Sequence, residues 1–417
     1  MNVLIKSATI VDNNSSEHLK SRDILIEEGV IKAIGETIQD KNAQVIDLPN
    51  LHVSKGWFDS SVSFGEPGYE ERETLQNGLD VCQNSGFTSV IVNPNTNPVT
   101  DHAALIEFIK NSTTSHLVDA YPMGALTEKS NGQHIAELFD MKKKGAVAFG
   151  DYKSCISDTN LFKIALQYSK TVDTLIQVFA NDKSMSSDTQ MHEGTTSTNL
   201  GLKAQPRLAE VIQLQRDLEV LKYTGGKLHF AYISTAESVE IIKEAKKQGL
   251  NVSCSVALPN LMFTDAMLAE FDSKYKVMPP LREPSDIEAL RTGLRDGTID
   301  MVTTDHNPLN IELKKTEFEN AEFGTIGLES AFGMLQTVFN LEDTIAILTR
   351  GKNRFGIDDF SIKVGEKAQL SLFNPDVNWD QSEGDIRSKS KNSIYLNETH
   401  KGKAYGIINN NRVYVSN

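Results

Sequence analysis

Side chains that could do chemistry stand where short apolar segments of the sequence end. Ser61 and Ser63 end the first such segment, GWFDSSVSF, Asp151 ends a later one, and Asp305 and His306 follow the last. Carboxylate and imidazole groups could hold a metal ion that activates water, but a catalytic zinc ion generally takes three protein ligands from His, Asp, Glu or Cys. Serine hydroxyls are weak neutral ligands, so these residues alone fall short of a zinc site.

Residues at the other segment ends do not complete such a site. Asn95, Phe179 and Tyr232 offer an amide, a phenyl ring and a phenol. His229 precedes Tyr232 by three residues, and because side chains alternate along a strand, we expect the two to face opposite ways, with His229 a packed core residue. The sequence also lacks a GxSxG nucleophile motif and the glycine-rich motifs that bind nucleotide phosphates.

Eight short apolar segments, separated by amphipathic helical ones, predict the elements that position these side chains. One helical segment is PRLAEVIQLQRDLEVLKY, with apolar residues at helical spacing. Eight strand–helix units in roughly 300 residues predict a TIM (β/α)8 barrel over residues 53–350, and barrel chemistry sits at the carboxyl ends of the strands. The predicted strands lie within residues 56–64, 88–94, 116–126, 145–151, 174–180, 227–234, 250–256 and 300–305.

Both ends of the chain are rich in strand patterns. Alternating residues around Glu28-Gly29 and around residues 409–411 predict one hairpin near each terminus. Two strand-rich ends that flank a different middle predict one small β-sandwich domain built from residues 1–52 and 351–417. The predicted fold class is therefore α/β, a barrel with a composite terminal domain.

The composition is typical of a soluble cytoplasmic protein. The chain of 417 residues has a formal net charge of −14, which argues against nucleic acid or an anionic membrane as the main partner. Its three cysteines, Cys82, Cys155 and Cys254, form no CxxC pair, as is usual in a reducing cytoplasm. We find neither a signal peptide pattern at the start nor an apolar run near the roughly 20 residues that span a bilayer.

Longer stretches of the sequence resemble the dihydroorotases of the amidohydrolase superfamily. They include GWFDSSVSFGEPGYEERETLQNGLDVCQNSGFTSVIVNPNTNP, MHEGTTSTNLGLKAQPRLAE and VMPPLREPSDIEALRTGLRDGTIDMVTTDHNP. The likeness runs through the whole barrel and into the C-terminal end. The resemblance implies a hydrolase fold of pyrimidine biosynthesis, with a metal site in the barrel and a β-sandwich made from both termini.

The family's metal-binding and substrate-binding groups are largely replaced in this sequence. Most of the family's ligand imidazoles and a substrate-gripping arginine have no counterpart. The replacements that the resemblance implies are Ser61 and Ser63 for the His-x-His pair, Gly65 for the arginine, Phe179 and Tyr232 for two further ligand histidines, and Met278 for a substrate-contacting asparagine.

Four positions keep the family's residue type. By the resemblance, Asp151 matches a metal-binding aspartate and Asp305 the catalytic and metal-binding one, while Asn95 and His306 match substrate contacts. A catalytic aspartate without a metal-activated water has no nucleophile to deprotonate. We therefore expect Asp305, Asn95 and His306 to be vestiges of the family's site.

Three functional hypotheses remain open. The first is a catalytically inactive homologue without a cofactor, which forms a homo-oligomer and serves as a structural partner of aspartate transcarbamoylase, as the resemblance implies. The second is an active cyclic amidohydrolase with a rearranged site, in which Asp151, Asp305 and water hold a metal; these ligands suit magnesium better than zinc, and zinc would be a cofactor only in this case. The third is a binding protein for a small pyrimidine intermediate, with Asn95 and His306 as its contacts.

Overall fold

Strands and helices alternate through the middle of the chain, and strands fill both ends. The structure is a computed structural model and describes residues 1–416. The strands are β1 (Asn2–Val11), β2 (Ser21–Glu27), β3 (Val30–Gly35), β4 (Gln44–Ile46), β5 (His52–Lys55), β6 (Trp57–Val62), β7 (Phe87–Val92), β8 (Asp119–Pro122), β9 (Ala148–Phe149), β10 (Leu175–Phe179), β11 (Met191–His192), β12 (Ala204–Gln205), β13 (Lys227–Ala231), β14 (Val252–Ala257), β15 (Met301–Thr303), β16 (Leu370–Asp380), β17 (Thr399–Asn409) and β18 (Arg412–Val415). The α-helices are α1 (Leu75–Asn84), α2 (Ala103–Thr113), α3 (Leu138–Lys144), α4 (Thr159–Thr171), α5 (Lys183–Ser186), α6 (Thr195–Leu200), α7 (Arg207–Thr224), α8 (Ala236–Lys247), α9 (Pro259–Met262), α10 (Pro284–Arg295), α11 (Ile311–Lys314), α12 (Ala331–Val338) and α13 (Leu341–Thr349).

Eight parallel strands form the predicted barrel. β6, β7 and β8 pair in order, and β9, β10, β13, β14 and β15 form a second run. Parallel bridges join the two runs, Gly124 with Phe149 on one side and Val62 with His306 on the other, and so close the ring. Each of the eight segments expected from the sequence overlaps one of these strands, which confirms the barrel.

The longer helices bury apolar residues against the barrel. In α1, the Thr74 hydroxyl accepts a hydrogen bond from the backbone N–H of Asn77 and so caps the helix. Leu75, Leu79 and Cys82 follow at helical spacing and are all buried. No helix within residues 1–416 is long and apolar enough to cross a membrane.

Both termini contribute to one mixed sheet. Its strand order is β18-β17-β16-β5-β1-β2-β3, with β4 paired to β1. Ile31 on β3 and Leu372 on β16 belong to the same buried cluster, although their strands lie far apart in this order. The sheet therefore curls around a core of its own, as expected for the terminal β unit. It includes β5 and so extends to Lys55, beyond the limit at residue 52 that the sequence suggested.

The two predicted hairpins are present. β2 pairs with β3 and β17 pairs with β18, both antiparallel. Each turn consists of two residues with positive φ, Glu28 and Gly29 in the first and Asn410 and Asn411 in the second. Such turns match the twist of the flanking strands and favour glycine and asparagine.

Trp57 joins the terminal sheet to the barrel. It begins β6, is fully buried, and its ring lies 6.0 Å from Phe87, 4.7 Å from Phe332 and 5.6 Å from Phe373 between centroids. Its indole N–H donates to Ser54 Oγ at 3.0 Å. This residue therefore fixes the first barrel strand, whose end carries the two serines, against the terminal sheet.

Candidate active site at the barrel mouth

An ion pair lies at the carboxyl ends of the barrel strands. Lys153 follows β9 and Asp305 follows β15, and the lysine Nζ lies 2.7 Å from Oδ1 and 2.9 Å from Oδ2 of the carboxylate. The two side chains are 12% and 2% exposed. Three barrel strands separate β9 from β15 in either direction around the ring, so the ion pair spans the barrel mouth.

Burial and mutual attraction set the charges of this pair. Burial by itself would lower the pKa of Lys153, but the Asp305 carboxylate outweighs it and holds that pKa above its ordinary range. Burial raises the pKa of Asp305 to about 6, and the ammonium limits the rise. Both groups are therefore charged at neutral pH, and each neutralises the other.

Aromatic rings surround the ammonium. Nζ of Lys153 lies 5.3 Å from the ring centroid of Tyr152 and 5.1 Å from that of Tyr232, within the range of a cation–π attraction. The Tyr232 hydroxyl is hydrogen-bonded to Ser61 Oγ across the mouth, and its ring meets Phe179 edge-on at 6.2 Å. Phe179 and Tyr232 are 3% and 1% exposed, so they fill space at the mouth.

Three strand ends carry residues other than glycine in the left-handed conformation. These are Tyr152, Tyr232 and Asp305, with φ of +54°, +59° and +54°. Such backbone strain costs of order 1–3 kcal/mol per residue and collects at functional sites. Tyr232 follows β13, which ends at Ala231. The alternation of side chains along a strand therefore does not determine the direction of Tyr232 relative to His229.

His229 lies deeper in the same strand. It is fully buried, and its Nδ1 and Nε2 lie 2.8 Å from Ser253 Oγ and 3.1 Å from Ser255 Oγ. Burial, with repulsion from Arg354 and Lys246, lowers its pKa to about 3. His229 is thus a neutral, hydrogen-bonded core residue, as the sequence indicated.

The two serines at the end of β6 bond to asparagines that follow β7. Ser61 Oγ donates to Asn93 Oδ1 at 2.8 Å, and Ser63 Oγ donates to Asn95 Oδ1 at 3.0 Å. The Asn93 amide N–H donates in turn to Ser63 Oγ at 3.1 Å. The result is a neutral network in which each hydroxyl is already satisfied.

Asp151 turns its carboxylate towards a loop. Its Oδ1 accepts the backbone N–H groups of Leu126 and Thr127, both at 2.9 Å, and its Oδ2 accepts the Thr127 hydroxyl at 2.5 Å. Burial raises the pKa of Asp151, and these hydrogen bonds oppose the rise. Asp59 is likewise buried and accepts the Thr303 hydroxyl at 2.6 Å. Asp151 therefore anchors the backbone, whereas the second hypothesis requires it to share a metal with Asp305.

His306 is a neutral structural contact beside the mouth. Its Nδ1 accepts the backbone N–H of Gly327 at 3.3 Å, and its ring meets Phe64 edge-on at 6.0 Å. Burial lowers its pKa to about 3. Its carbonyl oxygen accepts the Ser63 N–H at 2.8 Å and so helps to close the barrel between β15 and β6.

Gly65 leaves no room for a side chain. A Cβ at this position would lie 2.0 Å from the carbonyl oxygen of Tyr69, and the Tyr69 N–H donates to the Gly65 carbonyl at 2.8 Å. An arginine, which the resemblance expects here, would require a different loop. Met278, at the position of the substrate asparagine, packs against the cluster that contains Phe179.

The resemblance implies a metal at this mouth, but the residues present do not fit one. Within residues 1–416, no three side chains of His, Cys, Asp or Glu come together in a group that could hold a metal ion. Around Asp305 stand the Lys153 ammonium and aromatic rings instead. An ammonium has hydrogen-bond donors and no lone pair, so it competes with a metal for the carboxylate.

Lys153 is the residue of this site that sequence reasoning missed. The lysine stands two residues beyond Asp151, which ends the apolar segment GAVAFGD. Lys153 comes just after one strand end and Asp305 just after another. An acidic and a basic residue at two strand ends are the signal that could have indicated the ion pair.

Comparison with known proteins gives consistent matches along the chain. A family model described as Dihydro-orotase-like matches residues 52–238. A dihydroorotase of Pelotomaculum thermopropionicum is 36% identical over 420 residues, which cover 99% of this chain and 98% of that protein. A dihydroorotase of Thermoanaerobacter sp. is also 36% identical, over 409 residues that cover 96% of this chain and 94% of that protein.

Solved structures share the fold at lower identity. An L-hydantoinase (dihydropyrimidinase) from Arthrobacter aurescens superimposes with a TM-score of 0.87 and 22% identity, covering 100% of this chain and 96% of that one. A dihydropyrimidinase from Brevibacillus agri superimposes with a TM-score of 0.83 and 20% identity, covering 100% of this chain and 95% of that one. These structures support the barrel and terminal sheet, whereas the end-to-end similarity to the two dihydroorotases decides the family. The chain therefore belongs to the dihydroorotase family of cyclic amidohydrolases.

Proposed function

We propose that this chain is a member of the family without dihydroorotase activity, and that it serves as a structural partner of aspartate transcarbamoylase. The observation that carries the proposal is the content of the barrel mouth. Lys153 is paired with Asp305, and Phe179 and Tyr232 fill positions that the resemblance assigns to metal-binding imidazoles.

Hydrolysis of a cyclic amide makes two demands that this mouth meets poorly. It needs an activated water and a group that stabilises negative charge on the carbonyl oxygen. Asp305 could accept a proton from water, but both of its oxygens lie within 2.9 Å of the ammonium. The hydroxyls of Ser61 and Ser63 already donate to asparagines, so neither has a proton free for that carbonyl oxygen.

The partner in this proposal comes from the family resemblance, and one surface feature supports a protein partner. α7 buries Leu214 and Leu218 against the barrel, yet it also carries exposed apolar side chains. Leu208, Ile212 and Tyr223 are 51%, 39% and 79% exposed and lie on one face of the helix, on which Gln215 and Glu219 separate Ile212 from Tyr223. This exposed face of α7 is the surface that we expect the partner to cover.

An active cyclic amidohydrolase is the second candidate, and one observation favours it. The relatives that match this chain from end to end carry the name dihydroorotase, and the resemblance matches Asp305 to the family's catalytic aspartate. Activity would require the Lys153–Asp305 pair to open so that a metal or water could reach the carboxylate.

A hydrolysis assay separates the two candidates. Purified protein is incubated with dihydroorotate, without added metal, with magnesium and with zinc, and the rate is compared with that of buffer alone and of an Asp305→Ala variant. We expect all of these rates to be equal. A rate above the buffer background that disappears in Asp305→Ala would establish the second candidate and remove the first.

Co-expression tests the partnership. The chain is produced together with the aspartate transcarbamoylase of the same organism, and the mixture is examined by size-exclusion chromatography and by transcarbamoylase activity after heating. We expect one joint peak and a more heat-stable activity, both weakened by Ile212→Ser combined with Tyr223→Ser. Glu107→Ser, at a polar position on α2 that is 50% exposed and lies away from this surface, is the matched control. Separate peaks with unchanged activity would contradict the proposal.

A further inference from the structure

We infer that Lys153 is a built-in cation of the barrel mouth, which takes the place of a divalent metal and ties the strand ends together. The chain would then fold and stay folded without any metal. This inference concerns the stability of the barrel itself, so it does not depend on the partner or on the absence of activity proposed above.

The position of the ion pair is the first argument. Its two partners follow strands on opposite sides of the eight-stranded ring, so the pair links the halves of the barrel as a bridging metal would. The contact is bidentate, with Nζ at 2.7 and 2.9 Å from the two carboxylate oxygens of Asp305. The second link across the mouth, between Ser61 and Tyr232, lies beside it and contains neither a carboxylate nor an imidazole.

The balance of charge is the second argument. Lys153 contributes one positive charge and Asp305 one negative charge, and the faces of Tyr152 and Tyr232 favour the ammonium further. Asp151 is satisfied by its own hydrogen bonds to the loop. A divalent cation at Asp305 would bring two more positive charges next to the ammonium, whereas Lys153 already supplies the positive charge that this carboxylate needs.

Burial is the third argument. An exposed ion pair contributes little to stability, because water and salt screen it. Here the carboxylate is 2% exposed and the lysine side chain 12%. Removal of one partner therefore leaves a buried charge without compensation, whereas removal of both charges together does not.

A double-mutant cycle read by thermal unfolding tests the inference. The proteins are wild type, Lys153→Met, Asp305→Asn and the double variant, each measured with a chelator, with added zinc, and with neither. Lys247→Met, a lysine 65% exposed, is the control for loss of a lysine. We expect Lys153→Met to lower the melting temperature by at least about 3 °C, and the double variant to lose clearly less than the sum of the two single losses.

The metal arms give the other expected result. Neither the chelator nor zinc should move the melting temperature of the wild type. Additive losses in the cycle, or a wild type that the chelator destabilises, would overturn the inference. If Lys153→Met does not fold, the double variant should still fold, since it buries no unpaired charge; its failure would also count against the inference.

Discussion

Replacing His229 by glutamine is expected to weaken the acid sensitivity of this protein. The imidazole is fully buried between Ser253 and Ser255, and burial lowers its pKa from 6.5 to about 3. The unfolded chain therefore binds a proton at this histidine between about pH 6.5 and pH 3, while the folded chain does not. The neutral histidine contributes its full stability above pH 6.5, and this contribution is lost as the pH falls towards 3.

The size of the effect follows from the two pKa values. Each pH unit below the unfolded pKa costs about 1.4 kcal/mol, so about 2 kcal/mol of unfolding free energy is lost at this site by about pH 5. Asp217 acts in the opposite direction, because burial raises its pKa to about 6 and its protonation on acidification favours the folded state. The comparison must therefore be between wild type and variant at each pH.

Urea unfolding at about pH 7 and about pH 5 measures the difference. We expect the wild type to lose about 2 kcal/mol more than His229→Gln between the two pH values, whatever the stability of the variant at pH 7. His102→Gln, at an exposed position before α2, should keep the dependence of the wild type. An identical loss in wild type and His229→Gln would refute the assignment of His229 as a neutral buried group.

Three further predictions concern packing and chemistry. Trp57→Ala should lower the unfolding free energy by about 3–5 kcal/mol in urea, and a loss below about 1 kcal/mol would contradict its role between sheet and barrel. Gly65→Ala should lower the unfolding free energy by about 1–3 kcal/mol or prevent folding, because its Cβ would lie 2.0 Å from a carbonyl oxygen. In the control Gly384→Ala the new Cβ meets nothing closer than 3.7 Å, so the unfolding free energy should not change. Ser61→His alone should give no dihydroorotate hydrolysis above background, because catalytic groups that act as a unit are not restored one at a time; a measurable rate would show that far fewer groups are missing.

Much of the fold could be predicted because its signals are local. The eight barrel strands are short apolar segments, and the turns at Glu28-Gly29 and Asn410-Asn411 use residue types suited to positive φ. The limit at residue 52 fell short of Lys55, because β5 and β6 form one apolar stretch in the sequence and only strand pairing assigns β5 to the terminal sheet. Local patterns therefore predicted the strands and helices themselves more accurately than the boundary between the terminal sheet and the barrel.

The site was predicted only in part. The sequence identified the strand ends, and the family resemblance identified Ser61, Ser63, Phe179 and Tyr232 as replacements. The sequence could not indicate that Asp151 accepts hydrogen bonds from the backbone of residues 126–127. The identity of a residue does not say whether its carboxylate will face a loop or a cation. Nor could alternation place Tyr232, whose left-handed φ lies outside the regular strand.

The sequence by itself determined the element types, most residues of the barrel mouth and the family resemblance, because periodicity and residue identity are properties of neighbouring positions. Only the tertiary structure brought Lys153 to Asp305, 152 positions further along the chain and on the opposite side of the ring. Closure of the barrel decides which strand ends meet, and the buried environment then decides that an ammonium and a carboxylate must neutralise each other. The charge at the centre of the mouth is therefore a property of the closed barrel and not of any local segment.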